Sequence, residues 1–175
     1  PETLRAATDA TRAHPSSEMA NSNPAAFEGD NTTHYSVVDR FGNAVANTYT
    51  LNLSYGMGLV AEGTGVLLNN ELDDFAAAPG APNAYGLVGF DANAPGPGKR
   101  PLSSVTPTIV FKDGRLFLVT GSPGGSRIIT TVLQVLLNVI DYGMGIADAV
   151  HAPRMHHQWL PDQVVVEATV PATTV

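Results

Sequence analysis

Residues Arg115-Leu116-Phe117-Leu118-Val119-Thr120-Gly121-Ser122-Pro123-Gly124-Gly125-Ser126-Arg127 form the passage that decides the fold. The run from Arg115 to Thr120 is short, aliphatic and aromatic, and reads as a strand. Gly121 to Ser126 is turn chemistry. From Arg127 to Asp141, apolar residues fall at 128, 129, 132, 133, 135, 136, 137, 139 and 140. That spacing predicts a mostly buried helix, closed by Tyr142-Gly143. The backbone N–H groups of a first helical turn have no carbonyl partner, and the helix start carries partial positive charge. A turn placed there stabilises an anion, either a phosphate or a tetrahedral oxyanion. No Gly-Lys-Ser/Thr follows, as a phosphate loop requires. Glycines at 124 and 125 would let a substrate carbonyl approach the backbone closely. The plainer alternative is a glycine-rich strand–helix connector.

Working outward, Asp113-Gly114 is a hairpin signal that joins this strand to another at Thr108–Lys112. Thr33 to Asp39 is strand-like, Asp39-Arg40-Phe41-Gly42 is a tight turn, and Asn43 to Asn52 is the returning strand. Further strands are expected at Val66–Asn69 and Gln163–Val170, and a short helix at Ile146–Val150, stopped before Pro153. Strands stacked with helices make an α+β layered domain. Pro79 to Lys99 holds five glycines and four prolines and is expected to lack regular structure, as either a lid or a surface connector. Residues 1–31 are small and polar, with loop chemistry at Pro15-Ser16-Ser17 and Asn21-Ser22-Asn23-Pro24, and read as a flexible tail. No internal repeat is present.

The 175 residues carry 9 basic and 16 acidic side chains, a formal charge of −7. A hydrophobic fraction of 43% is enough for the core of one domain. Cysteine is absent, which removes a thiol nucleophile, any disulfide and every thiolate metal site. The negative charge argues against a nucleic-acid groove. Charged residues make up 14%, against roughly 25% in ordinary domains. A surface so poor in charge suggests that another polypeptide covers part of it. Ile128–Ile140 is the longest apolar stretch, but Thr130, Thr131, Gln134 and Asn138 interrupt it and it falls short of a membrane span of about 18 residues. No signal peptide opens the chain, its first residue is Pro1, and its last stretch stops in a strand-like run. It is therefore expected to be a piece of a longer protein.

A nucleophile is harder to find. No Gly-x-Ser-x-Gly elbow occurs, which disfavours an α/β-hydrolase. His14, His34, His151, His156 and His157 form no His-Glu-x-x-His zinc pattern. His156-His157 beside Trp159 reads as packing or a local hydrogen-bond cluster, and no metal is expected. A hydroxyl nucleophile then needs its own base. A threonine exposed by cleavage just before it supplies one, because its α-amine has a reference pKa of about 7.7–8.0 and is partly neutral at physiological pH. The junction Asp30-Asn31-Thr32-Thr33, polar and flexible up to the start of a strand, has the required shape. Asn31-Thr32-Thr33 is also a glycosylation sequon, a trivial match in a threonine-rich chain.

Four stretches carry a resemblance: Thr32-Thr33-His34-Tyr35-Ser36-Val37-Val38-Asp39, Asn69-Asn70-Glu71-Leu72-Asp73-Asp74-Phe75, Lys99-Arg100-Pro101-Leu102-Ser103-Ser104, and Gly121 to Arg127. In this order and spacing, from Thr32 to about Leu160, the chain resembles the γ-glutamyltranspeptidase family. The resemblance implies an N-terminal nucleophile hydrolase with a four-layer αββα sandwich, present here in part. It implies a precursor that cleaves itself into a large and a small subunit, so that residues 1–31 would end the large subunit and residues 32–175 would form a small-subunit domain cut short at its C-terminus. The large-subunit arginine that grips the substrate's α-carboxylate in this family would then lie outside the chain.

Residue by residue, the resemblance makes Thr32 the nucleophile and Thr50 the hydroxyl that orients it. Asn52, Glu71 and Asp74 would hold the α-amino end of a γ-glutamyl substrate, with Glu71 standing where other members have glutamine. Ser103 and Ser104 would lie near its α-carboxylate. Gly124 and Gly125 would form the oxyanion hole, in agreement with the independent reading of that turn. Pro79 to Phe90 would be a lid and Tyr85 its gate. The implied activity is that of a γ-glutamyltransferase and glutathione hydrolase. It acts without a cofactor on glutathione or related γ-glutamyl compounds, with water or an amino acid or dipeptide as acceptor and the large subunit as partner. A cephalosporin or glutaryl amide acylase on the same scaffold, or an inert unprocessed precursor, are the alternatives. Analogy with bacterial members suggests a periplasmic or secreted protein.

Overall fold

The structure, a computed structural model, describes residues 32–171 and Thr173. The expected tail over residues 1–31, with the Asn31 side of the cleavage junction, lies outside the described residues.

Two antiparallel hairpins form the framework. The first pairs β1 (Thr33–Val38) with β2 (Ala44–Tyr49), Thr33 opposite Tyr49 and Val38 opposite Ala44. Asp39 builds its turn: the Gly42 amide donates to the Asp39 carbonyl at 3.1 Å, and Asp39 Oδ1 accepts from the amides of Phe41 and Asn43 at 2.8 and 2.9 Å. The second pairs β3 (Thr108–Lys112) with β4 (Arg115–Thr120) across Asp113-Gly114. Both turn residues have positive φ, 51° and 72°, matching the twist that a two-residue hairpin loop requires. A bulge between Val110 and Phe111 shifts the register.

The hairpins lie against each other, β2 beside β3 and β4, and β1 beside β4. His34 helps to join them. Its Nδ1 lies 2.9 Å from Thr48 Oγ1 and its Nε2 3.1 Å from Ser36 Oγ. Its ring packs so tightly on Gly121, at the end of β4, that a Cβ there would collide with the imidazole. Partial burial holds the imidazole below its ordinary pKa.

A 3₁₀ turn at Gly125–Arg127 leads into α1 (Ile128–Ile140), and α2 (Ile146–His151) packs against α1. The Asp141 and Tyr142 amides both donate to the Leu137 carbonyl, and Gly143 at φ 65° ends the helix as expected. Among the described residues no helix is long and apolar enough to cross a membrane.

Four expectations need correction. Helix α1 is not mostly buried: Ile128, Val132 and Val135 form one buried stripe, while Ile129, Leu133 and Ile140 on the other side are about half exposed. Val66–Asn69 is not a strand. Leu67 makes a single bridge to Val60, because Gly63 and Gly65 at positive φ turn the chain back too tightly for a ladder to grow. The strand expected at Gln163–Val170 shrinks to β6 (Val165–Val166), because its partner β5 (Met155–His156) is only two residues long. The Arg154–Glu167 ion pair at 2.9 Å closes that short ladder. Finally, the segment Pro79 to Lys99 is not without structure. It holds a 3₁₀ turn at Asp91–Asn93 and a Pro82–Val88 bridge, and Asn93 pins it by donating to the Asp74 carbonyl at 2.7 Å and accepting from the Leu102 amide at 3.1 Å.

Candidate active site

Thr32 stands immediately before β1 and is buried, 8% exposed. Its Oγ1 donates to Thr50 Oγ1 at 3.2 Å, just beyond the end of β2. Thr50 Oγ1 also accepts from the Asn52 amide at 2.9 Å, so its acceptor side is fixed and its own proton is free to turn. The register of the first hairpin, Thr33 opposite Tyr49, brings the two hydroxyls together.

Asn52 is buried and adopts φ 72°, a left-handed conformation that asparagine tolerates better than most residues. That reversal sends its carbonyl to the Tyr85 hydroxyl, which donates at 2.6 Å, and its Nδ2 to the Asn70 carbonyl at 3.3 Å. The Asn70 side chain returns the contact by accepting from the Leu53 amide at 3.1 Å. The end of the first hairpin is thereby clamped to the 3₁₀ turn Glu71–Asp74.

Glu71 and Asp74, three residues apart on that turn, are hydrogen-bonded through their carboxyls. Burial raises both pKa values. For Glu71, burial is reinforced by the Asp74 charge and their shared hydrogen bond, and its carboxyl is pushed up to about 7. Like charges this close keep a proton between them. Glu71 Oε1 is buried and has no hydrogen-bond partner among the described residues.

At the glycine turn, Gly124 has φ 130° and Gly125 φ 56°, both disfavoured for any residue with a Cβ. Gly125 must be bare for a second reason. The Tyr85 ring lies on it, so that an added Cβ would fall 2.7 Å from Cε1 and 2.8 Å from Cδ1. Tyr85 itself is 5% exposed. Its loop is shaped by Asn83, whose Oδ1 accepts from the Tyr85 and Leu87 amides at 3.0 Å each, and is tied to the acidic turn where the Ala84 amide donates to Asp73 Oδ2 at 3.1 Å.

Thr32, Thr50, Asn52, Glu71, Asp74, Tyr85, Ser103, Ser104 and Gly125 line one cavity of about 30 Å³. Every site residue expected from the sequence is therefore gathered there except Gly124, which precedes the lining. Val105 and Ile128 complete the wall. A larger cavity of about 460 Å³ adjoins it under residues 81–89 and shares Asp74, Ser103 and Ser104. The small cavity holds the acidic pair, the hydroxyl pair and Gly125, the larger one is mostly apolar, and Asp74, Ser103 and Ser104 stand where the two meet. Such a site suits an acyl compound with an ammonium at one end.

Sequence reasoning missed a group behind the glycine turn. Ser126, 3% exposed, donates to Gln158 Oε1 at 2.6 Å, and His156 Nε2 lies 2.9 Å from the same oxygen. The only signal was the expected hydrogen-bond cluster at His156-His157. His157 takes a separate partner, Asp162, at 3.2 Å.

Against known proteins, the sequence pattern described as Gamma-glutamyltranspeptidase matches residues 2–175. The chain is 65% identical over 159 residues to the glutathione hydrolase proenzyme of Escherichia coli (strain K12), covering 91% of this chain and 27% of that protein. It thus spans about a quarter of the length of the curated relatives it matches. Among solved structures, a threonine-to-alanine mutant of Helicobacter pylori γ-glutamyltranspeptidase superimposes with a TM-score of 0.78 at 63% identity, over 81% of this chain and 76% of that one. An acivicin-inhibited γ-glutamyltranspeptidase, whose C-terminus is described as critical for autoprocessing and catalysis, gives 0.78 at 64% identity with the same coverage. These neighbours share the α+β N-terminal nucleophile hydrolase fold. On the match along nearly its whole length, the chain belongs to the γ-glutamyltranspeptidase family.

Proposed function

We propose that this chain carries the nucleophilic half of a γ-glutamyltransferase and glutathione hydrolase, divided at Asn31–Thr32 into the end of a large subunit and a small-subunit domain. The observation that carries the reading is the single cavity in which Thr32 Oγ1 meets Thr50 Oγ1, with the Glu71–Asp74 pair and Gly125 on its wall.

In the precursor, Thr32 Oγ attacks the carbonyl of Asn31. The acyl group moves from nitrogen to oxygen, which frees the Thr32 amine, and water then hydrolyses the ester, restoring the Thr32 hydroxyl and releasing the Asn31 carboxylate. In the mature enzyme that amine takes the hydroxyl proton as Oγ attacks the γ-carbonyl of the substrate. The resulting oxyanion is held by the amides of the Gly124-Gly125 turn. Elsewhere, losing one such donor costs about 2.7–4 kcal/mol of transition-state stabilisation. As the C–N bond breaks, the proton passes to the departing amine. Water, or the amine of an acceptor amino acid or dipeptide, then attacks the γ-glutamyl ester and restores the Thr32 hydroxyl.

Asn52, Glu71 and Asp74 take the substrate's ammonium, whose charge replaces the proton held between the two carboxyls. Ser103 and Ser104 donate to its carboxylate. A cavity of about 30 Å³ holds only a water or two, so a γ-glutamyl group enters when Tyr85 lifts from Gly125. The bare apolar faces of the hairpins and of α1 fit coverage by a large subunit.

A Thr32→Ala substitution in the full-length precursor tests the reading. It should leave a single uncut chain on a denaturing gel and no hydrolysis of a γ-glutamyl anilide. A variant that still splits would refute the role of Thr32. The acidic pair favours an amino-bearing acyl group over a glutaryl one. Faster hydrolysis of a glutaryl anilide than of the γ-glutamyl anilide would reverse that assignment.

A further inference from the structure

Gln158 spends its whole hydrogen-bonding capacity inside the protein. Its Nε2 donates to the carbonyls of Tyr85 at 3.3 Å and Leu160 at 3.0 Å. Its Oε1 accepts from Ser126 Oγ at 2.6 Å and from His156 Nε2 at 2.9 Å. Carbonyls only accept, so the two of them fix which end of the amide is which, and His156 must carry a proton on Nε2. The other ring nitrogen of His156 lies 2.8 Å from Thr130 Oγ1, on the first turn of α1. Ser126, His156, Tyr85 and Leu160 are all buried.

The partners belong to separate parts of the site. Tyr85 is the residue that covers Gly125, Ser126 follows Gly125 in the chain, and Thr130 belongs to the helix that the glycine turn begins. The Tyr85 ring and the Gly125 α-carbon are in contact on one side, and Gln158 links the main chain of the first to the residue after the second on the other.

We propose that Gln158 is a positioning residue that sets the spacing between the Tyr85 loop and the glycine turn, so that closure of the loop and alignment of the Gly125 amide occur as one event. An apolar side chain of equal size would fill the same space. Four directed bonds in a buried setting specify one arrangement of loop and turn. The proposal rests on the functional reading above, which makes Gly125 an oxyanion donor and Tyr85 a gate.

The test uses the full-length, self-processed protein, with kinetics on a γ-glutamyl anilide expressed per titrated active site. Ser126→Ala cuts the bond from Gln158 to the turn and leaves the two carbonyl bonds of Gln158 in place. It should lower kcat about tenfold and leave KM unchanged, because the oxyanion exists only in the transition state. Gln158→Leu cuts both links. It should lower kcat at least as much, raise KM several-fold, and speed amide hydrogen exchange over residues 83–89 and 124–130 together. Wild-type kcat and KM in both variants, with only a lower melting temperature, would reduce Gln158 to a packing residue and overturn the proposal. If wild-type protein fails to hydrolyse the anilide, the functional reading falls instead. The exchange arm then decides: faster exchange in both segments supports the link, and faster exchange in one alone overturns it.

Discussion

Gly125 is constrained twice, and a double-mutant cycle separates the two constraints. Gly125→Ala first forces a residue with a Cβ into φ 56°, a cost of about 1–2 kcal/mol. Its methyl then lies 2.7 Å from Tyr85 Cε1, where ordinary contact begins at 3.4 Å, so the ring must retreat by about 0.7 Å. The ring cannot retreat freely, because its hydroxyl is held at 2.6 Å by the Asn52 carbonyl. Stretching or breaking that buried bond adds about 1–3 kcal/mol. The single substitution should therefore destabilise the turn by about 2–5 kcal/mol. With Tyr85→Ala already in place, only the backbone cost of about 1–2 kcal/mol should remain. The two changes should thus be non-additive by about 1–3 kcal/mol, well beyond the scatter of about 0.5 kcal/mol seen for independent sites. Native-state hydrogen exchange at the amides of Ile128–Val132 gives the local opening free energy in each corner of the cycle. Costs that simply add would refute the claim that the tyrosine and the glycine are packed as one unit.

Four further outcomes are expected. Glu71 keeps its proton up to about pH 7, so raising the pH through that value ionises it and strengthens its hold on an ammonium. KM for a γ-glutamyl substrate should fall between pH 6 and 8 in the native protein and stay flat across that range in Glu71→Gln; an equal slope in both would remove Glu71 from the binding step. Because the folded pKa lies above the ordinary 4.5, the native state binds more protons than the unfolded one between 4.5 and about 7, so stability declines as pH rises through that window and the glutamine variant loses the decline. Gly121→Ala should drive a methyl into the His34 ring and destabilise by about 1–3 kcal/mol, measured as a lower melting temperature that His34→Ala partly restores. Tyr85→Phe removes the 2.6 Å bond and leaves the Asn52 carbonyl buried without its donor, at about 1–3 kcal/mol; the signature is a raised KM for the γ-glutamyl anilide, and an unchanged KM would deny the hydroxyl any part in closure.

What could be read from the sequence was local. Asp39 with Gly42, and Asp113 with Gly114, mark hairpins whose strands are neighbours in the chain, so β1 to β4 were legible together with the helix after the glycine turn. Val66–Asn69 and Gln163–Val170 have strand composition, but a strand needs a partner of equal length, and among the described residues none lies beside either. Helix α1 has apolar residues all round, yet only the stripe of Ile128, Val132 and Val135 is buried by the described residues. The site residues stood in recognisable runs, and the fold draws all but Gly124 to one cavity. Gln158 could not be seen in this way. Its importance comes from meeting Ser126 across 32 positions and Tyr85 across 73, and no run of residues around it announces either encounter.

Val37 and Val38 are successive residues on opposite sides of β1, exposed to 53% and 52%. Each side of the hairpin therefore shows an apolar residue to water, and an unpaired strand edge flanked in this way recruits copies of itself. Residues 32–171 made as a separate product should accumulate in inclusion bodies rather than as dispersed catalyst. Engineering that swaps or redesigns this portion must carry along whatever shields those valines.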